Sequence, residues 1–176
     1  MQTITKIHKV AAFTANGLGG NPAGVMIRAS LPEEAAMQRI AAELGYSETV
    51  FAAAVDDGWR VRYFSPGSEV PFCGHATVAL GAVLAQQHGD GTFPLTTSHT
   101  RVTVEGKASD GKLGAALHSP PTSSAPAPAE LVDAALALFG YSAGDLDPRI
   151  APAVANGGAS HLVLALASRE RLSAMR

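Results

Sequence analysis

From residue 75 to residue 85 the chain reads HATVALGAVLA, a stretch without a single charged side chain. Its composition predicts a helix over residues 75–87 that is apolar on almost every side, emerging only at Gln86, Gln87 and His88. A helix with no polar face cannot lie on a surface and has to be enclosed all round. The run is also far shorter than the ~20 residues needed to cross a bilayer, so protein and not lipid must enclose it. Whatever this chain folds into is therefore built around that helix.

The segments available to enclose it are mostly β-rich. Residues 4–13 (ITKIHKVAAF) suit a first strand, and 17–24 (GLGGNPAG) read as a turn or loop before a short strand at 25–27. Residues 31–45 (LPEEAAMQRIAAELG) predict an amphipathic helix. Pro32 fits its first turn, Glu33 and Glu34 suit its positive end, and Gly45 is placed to cap it. Met37, Ile40, Ala41 and Leu44 form its buried stripe. Residues 49–55 and 59–65 predict a hairpin across Asp56-Asp57-Gly58, with Trp59, Val61 and Tyr63 on one face. After a turn-rich connection at 66–74 and the apolar helix come strands at 92–97, 101–105 and 113–118. Residues 120–128 (PPTSSAPAP) have linker composition. A second amphipathic helix is expected at 129–139, with Leu131, Ala135 and Leu138 on its buried face and Gly140 capping it. A loop-rich stretch, a buried strand at 161–167 and a polar segment able to start a further helix complete the chain.

Composition narrows what such a fold can do. The chain has 176 residues, 47% of them apolar and 16% charged, enough to bury a core and too apolar for intrinsic disorder. A formal charge of -2 offers no broad basic surface for nucleic acid or anionic lipid. No secretory signal is visible in MQTITKIHKV, and the expectation is a soluble, cytoplasmic protein. A lone cysteine excludes an intramolecular disulfide framework and a multi-cysteine zinc site.

Three places carry residue types suited to chemistry. Glu48, in SETVF, follows a helix cap at the mouth of a strand. Partial desolvation among Tyr46, Val50 and Phe51 would suit its carboxylate to take and return a carbon-bound proton near neutrality, although context alone favours a solvated strand-edge Glu or a capping partner for Ser47. His75 opens the apolar helix after Gly74, which lets a ligand approach the backbone where first-turn N–H groups attract a carboxylate. The positive helix end favours a neutral His75 acting as donor or relay, against the plainer reading of a self-capping histidine. Cys73 stands where a helix N-terminus would lower a thiol pKa, but a lone cysteine is more often a small buried hydrophobe. His8, His88, His99, His118 and His161 lack metal-ligand spacing, and no metal site is expected. GLGGNP lacks the features of a phosphate-binding loop, and no G-x-S-x-G occurs, so nothing points to a nucleotide or metal cofactor.

Taken in order, KVAAFTANGLGGNPAGV, LPEEAAMQRIAAELGYSETVF and WRVRYFSPGSEVPFCGHATVALGAVL resemble the phenazine-biosynthesis (PhzF-like) isomerase family. This family is a branch of the diaminopimelate epimerase-like fold. The resemblance covers roughly the first 90 residues through three separated motifs, and continues more weakly in NGGASHLVLALASRERL. It implies an α+β architecture in which each half is a curled, barrel-like sheet around a central helix, with ligand between the halves. Residues 1–119 would form the first half, 120–128 a linker and 129–176 part of the second. The resemblance also implies cofactor-independent proton movement on a small carboxylate-bearing substrate, with Glu48 as general acid/base and Gly74, His75 and Cys73 at the substrate. Glu69 matches a recurrent family acid, with a loop or capping role the better expectation, and Asn21-Pro22 are expected in a structural turn.

The family's D-P-x-T-G-S-type segment is not found in these residues. Asp147-Pro148 is followed by Arg149-Ile150. Either these residues are a fragment of a longer chain, or the cleft is completed by something else, for which a second copy in a homodimer is the expectation. Two other readings stay open: a two-base amino-acid racemase using Cys73, which would need a second thiol, and a degenerate half that binds a ligand or a partner protein without catalysis.

Overall fold

A computed structural model of the chain describes residues 7–109 and 111–175. It divides into two compact units, Met1–Pro120 and Pro121–Arg176. In the first unit the strands are β1 (His8–Ala12), β2 (Asn21–Arg28), β3 (Glu48–Val55), β4 (Gly58–Phe64), β5 (Glu69–Val70), β6 (Gly91–Thr96), β7 (Arg101–Ser109) and β8 (Lys112–His118). Helix α1 (Glu34–Leu44) joins β2 to β3, and α2 (Gly74–His88) leads into β6. The sheet runs β1-β2-β3-β4-β6-β7-β8, with β5 paired to β4. Only β2·β3 and β4·β6 are parallel, and these are the two pairs whose connections carry α1 and α2. Strand β4 changes partner along its length: Trp59 and Arg60 pair with β6, whereas Tyr63 and Phe64 pair with β5.

Helix α2 lies where the sequence requires it. It packs against β1, β2, β3, β6, β7 and β8, and nine of its residues, Ala76, Thr77 and everything from 79 to 85, are buried. Ala76, Ala79, Leu80, Val83 and Leu84 join Val25, Val50, Val61, Tyr63, Leu95 and Val104 in the main core. The opposite face of β2–β4 sends Met26, Phe51 and Phe64 against Met37 and Ala41 of α1. Strands β2 and β3 are thus covered on both faces. That explains why ETVFAAAV shows no alternation of apolar and polar residues.

Several boundaries differ from expectation. Strand β2 begins at Asn21, so the glycine-rich loop stops at Gly20. Pro22 is accommodated because the pairing with β3 starts only at Ala23. Helix α1 starts at Glu34, which leaves Pro32 ahead of the first turn, and Gly45 caps it in the left-handed region at φ 68°. Of the expected first strand, residues 4–6 lie outside the described residues, and Phe13 turns away at φ 62°, largely exposed. The predicted β7–β8 turn at Ser109-Asp110-Gly111 includes Asp110, also outside the described residues.

In the second unit β9 (Ser123–Pro126), β10 (Ala153–Asn156) and β11 (Ser160–Val163) form an antiparallel sheet in the order β11-β10-β9, accompanied by α3 (Ala129–Leu138) and α4 (Arg169–Ser173). The stretch 120–128, expected as a linker, therefore contains a paired strand: β10 supplies the hydrogen-bonding partners that its Pro/Ser/Ala composition does not advertise. The strand expected at 161–167 ends at Val163 and is not buried, with Val163 itself 42% exposed. In α3 the buried residue is Leu136, while Leu131 and Leu138 face water. The helix ends at Leu138 with Phe139 as its cap, and Gly140 follows in the left-handed region at φ 68°.

Candidate active site

Three chain segments begin side by side. The parallel register sets Ala23 of β2 beside Glu48, the first residue of β3, so Asn21 and Ser47 are close neighbours across the pair. The third segment is the start of α2, held by a buried chain of hydroxyls. Thr77 donates to the Cys73 carbonyl at 2.7 Å, and this leaves Tyr63 of β4 to donate to the Thr77 oxygen at 2.7 Å. Both side chains are fully buried, and burial pushes the Tyr63 phenol above its ordinary range, so it stays a donor.

Glu48, Cys73 and His75, far apart in sequence, meet here. Glu48 Oε2 lies 3.5 Å from His75 Nε2, and Cys73 Sγ lies 3.1 Å from His75 Nδ1. The His75 side chain is 10% exposed and that of Glu48 22%, so the pair borders solvent without being immersed in it. Gly74 has open space before it: a Cβ there would meet only Leu117 Cδ2, at 3.8 Å. Unpaired N–H groups in the first turn of a helix favour an anionic ligand.

Two residues that sequence reasoning gave no chemical role also reach the cluster. Ser47 Oγ is 3.4 Å from His75 Nε2 and donates to Asn21 Oδ1 at 3.3 Å. Their place in SETVF and GNPAG, next to residues already singled out, was the available signal. At Cys73 the buried reading prevails over the helix-end one. Although the N–H groups of His75 and Ala76 favour a thiolate, burial, reinforced by Glu48, pushes the thiol up to about 12. The desolvation cost outweighs the helix end. Glu69 lies elsewhere in the fold. It accepts from Arg62 Nε at 2.7 Å, and Arg62 also reaches Glu34, which ties β4, β5 and α1 together. The donor atoms of Glu48, Cys73 and His75 lie within 4.8 Å of one another, a mixed S/N/O set able to meet a zinc-like cation, which histidine spacing did not foretell.

A curled mixed sheet wrapped round a buried helix, with a carboxylate and an imidazole at the helix mouth, belongs to the diaminopimelate epimerase-like α+β class. The fold is similar to a protein from Pseudomonas aeruginosa described as a predicted epimerase (TM-score 0.86, 25% identity, covering 97% of this chain and 62% of that one). It is also similar to a PhzF-family protein from Bacillus anthracis (TM-score 0.73, 24% identity, 97% and 58%). Residues 10–176 match the phenazine biosynthesis-like proteins, and the chain belongs to that family. Among curated relatives it is 38% identical over 167 residues to the uncharacterized isomerase YddE of Escherichia coli O157:H7, covering 92% of this chain and 56% of the relative. It is 55% identical over 84 residues to an uncharacterized isomerase of Deinococcus radiodurans, covering 47% and 27%. The chain thus spans about half, or less, of the length of these relatives. No helix among the described residues is long and apolar enough to cross a membrane.

Proposed function

We propose that this chain supplies the acid/base side of a cofactor-independent isomerase acting on a small, carboxylate-bearing substrate. Glu48 removes a proton from a carbon acidified by an adjacent unsaturated group and returns it at another position. The N–H groups around Gly74, together with His75 and the wall at Cys73, hold the substrate carboxylate. The observation that carries this reading is the 3.5 Å approach of Glu48 Oε2 to His75 Nε2 at the open mouth of α2. Apo contacts of this length tighten when ligand fills the site. The proposal includes a cytoplasmic homodimer.

The test is deuterium incorporation in D2O, followed by NMR over a panel of small unsaturated and aromatic carboxylates, with light scattering on the same samples. Carbon-bound deuterium should appear with wild type and fall at least about 100-fold in Glu48→Gln, the usual scale for a lost general base. Exchange that survives Glu48→Gln and is lost in Cys73→Ser would replace this reading with two-base racemisation. Binding without exchange in any variant would leave a carboxylate-binding protein.

A further inference from the structure

Carboxylates that the fold draws out of water are elsewhere answered by an arginine: Asp147 by Arg149, Asp145 by Arg171 and Glu69 by Arg62. Glu48 is different. Among the described residues no lysine or arginine pairs with it, and its ion-pair contact is His75, 3.5 Å away. Beside the same ring lies the Cys73 sulfur, 3.1 Å from Nδ1. With one donor atom taken from each residue, oxygen, nitrogen and sulfur lie within 4.8 Å of one another. Tetrahedral zinc, with bonds of about 2.0–2.3 Å, sets its ligand atoms about 3.4–3.6 Å apart. Sulfur and Nδ1 are already within that spacing, and the remaining gap is on the Glu48 side. Rotatable bonds and a side chain 22% exposed let the carboxylate cross it.

We propose that Glu48, Cys73 and His75 together bind a single thiophilic divalent cation of the Zn2+ kind, and that its arrival takes the acid/base carboxylate out of use. Cys73 Sγ, His75 Nδ1 and one Glu48 oxygen fill three corners of a tetrahedron, and the fourth is left to water or a small ligand. Binding exchanges the S–H bond for a metal–sulfur bond, and the proton leaves to solvent. A bare thiolate and a bare carboxylate side by side repel, whereas a dication between them leaves the cluster neutral. Ser47 Oγ, 3.4 Å from Nε2 and itself bonded to Asn21, is placed to steady the far side of the ring. Outer contacts of that kind orient metal-bound histidines. The cation is an inhibitor here and not a cofactor, because it occupies the lone pairs with which Glu48 takes a proton. That inhibitory consequence rests on the isomerase reading, whereas the binding does not.

The probe is Co2+, which adopts zinc-like geometry and absorbs light, and no substrate is needed. Titrated into the full chain, it should bind one ion per protein. A near-ultraviolet sulfur-to-cobalt charge-transfer band should rise together with the strong visible bands of four-coordinate cobalt, and Zn2+ should bleach both. Cys73 is the only cysteine, so the charge-transfer band has one possible source. It should vanish in Cys73→Ser. Co2+ affinity should fall at least about tenfold in His75→Ala and in Glu48→Gln, the lower end of what even an outer contact is worth. His118→Ala, which removes an exposed histidine beside Glu105, should leave it unchanged. Thermal melts show which variants are folded, and Co2+ should raise the midpoint of wild type but not that of Cys73→Ser. Where deuterium exchange into a substrate is measurable, Zn2+ should suppress it and a chelator restore it. Exchange that persists with Zn2+ bound would overturn the inhibition, and exchange absent throughout would count against the isomerase reading alone. No charge-transfer band at saturating Co2+, or an affinity unmoved by Glu48→Gln, would overturn the site.

Discussion

At the scale of single residues, position 49 shows how closely structure and chemistry are interleaved. Thr49 follows Glu48 and is fully buried, and its Oγ1 has no hydrogen-bond partner among the described residues. A desolvated hydroxyl without a partner costs free energy that an isosteric methyl does not. Thr49→Val should therefore raise stability by about 1 kcal/mol, read as a higher denaturant midpoint at unchanged slope. Glu48 and His75 were legible as candidates because their motifs are local and each stands at an element boundary. Their junction with Ser47 and Asn21 was not. It depends on a parallel register between strands separated by a whole helix, and nothing in either segment encodes its partner's position. How deeply the Cys73 thiol is buried was not legible for a related reason: a helix terminus is visible in sequence, but the depth at which that terminus is buried is not.

Among elements, α2 was the most legible, since an all-apolar helix has a single physical outcome. Less visible was how closely the sheet approaches it. Gly106 of β7 lies so near α2 that a Cβ there would collide with the backbone oxygen of Gly81, and it would also meet Ala85 Cβ at 2.8 Å. Neither backbone can yield without shifting the helix. Gly106→Ala should cost roughly 1–3 kcal/mol, the range for overpacked cores. Leu84→Ala, which leaves a void on the same helix, should cost roughly 2–5 kcal/mol. Thermal melts of both variants would check this, and a Gly106→Ala protein as stable as wild type would contradict the close approach. Strand β9 was hidden because its partner β10 lies beyond α3, and a proline- and serine-rich segment acquires strand character only through that pairing.

Considered as a whole molecule, the two units are built differently. Both hydrophobic clusters lie within the first, whereas among the described residues of the second only Leu136 is a fully buried hydrophobic side chain, alongside the buried Asp145 and Asp147. The Arg149 guanidinium and backbone N–H hold Asp147 down to about 2, and the Ser142 N–H and hydroxyl lower Asp145. A carboxylate whose pKa is depressed by folding adds stability that is present above its unfolded value and is lost as pH falls towards the folded one. Denaturant midpoints should hence fall progressively from about pH 4 towards pH 2. Asp147→Asn should be less stable at pH 7 and show a shallower acid decline. An identical pH profile in the variant would remove Asp147 from the account. Residues 1–120 expressed alone should keep a cooperative melt, since the first unit contains its own core.

The turn between β3 and β4 lies at the far end of the strand that begins with Glu48, about 25 Å away at the usual rise per residue. The native thiol is held protonated, so a cysteine installed at Asp57 would be the one that maleimide dyes find. That turn is thus a convenient place to attach a fluorophore or tether the protein to a surface, leaving the end that carries Glu48 unencumbered.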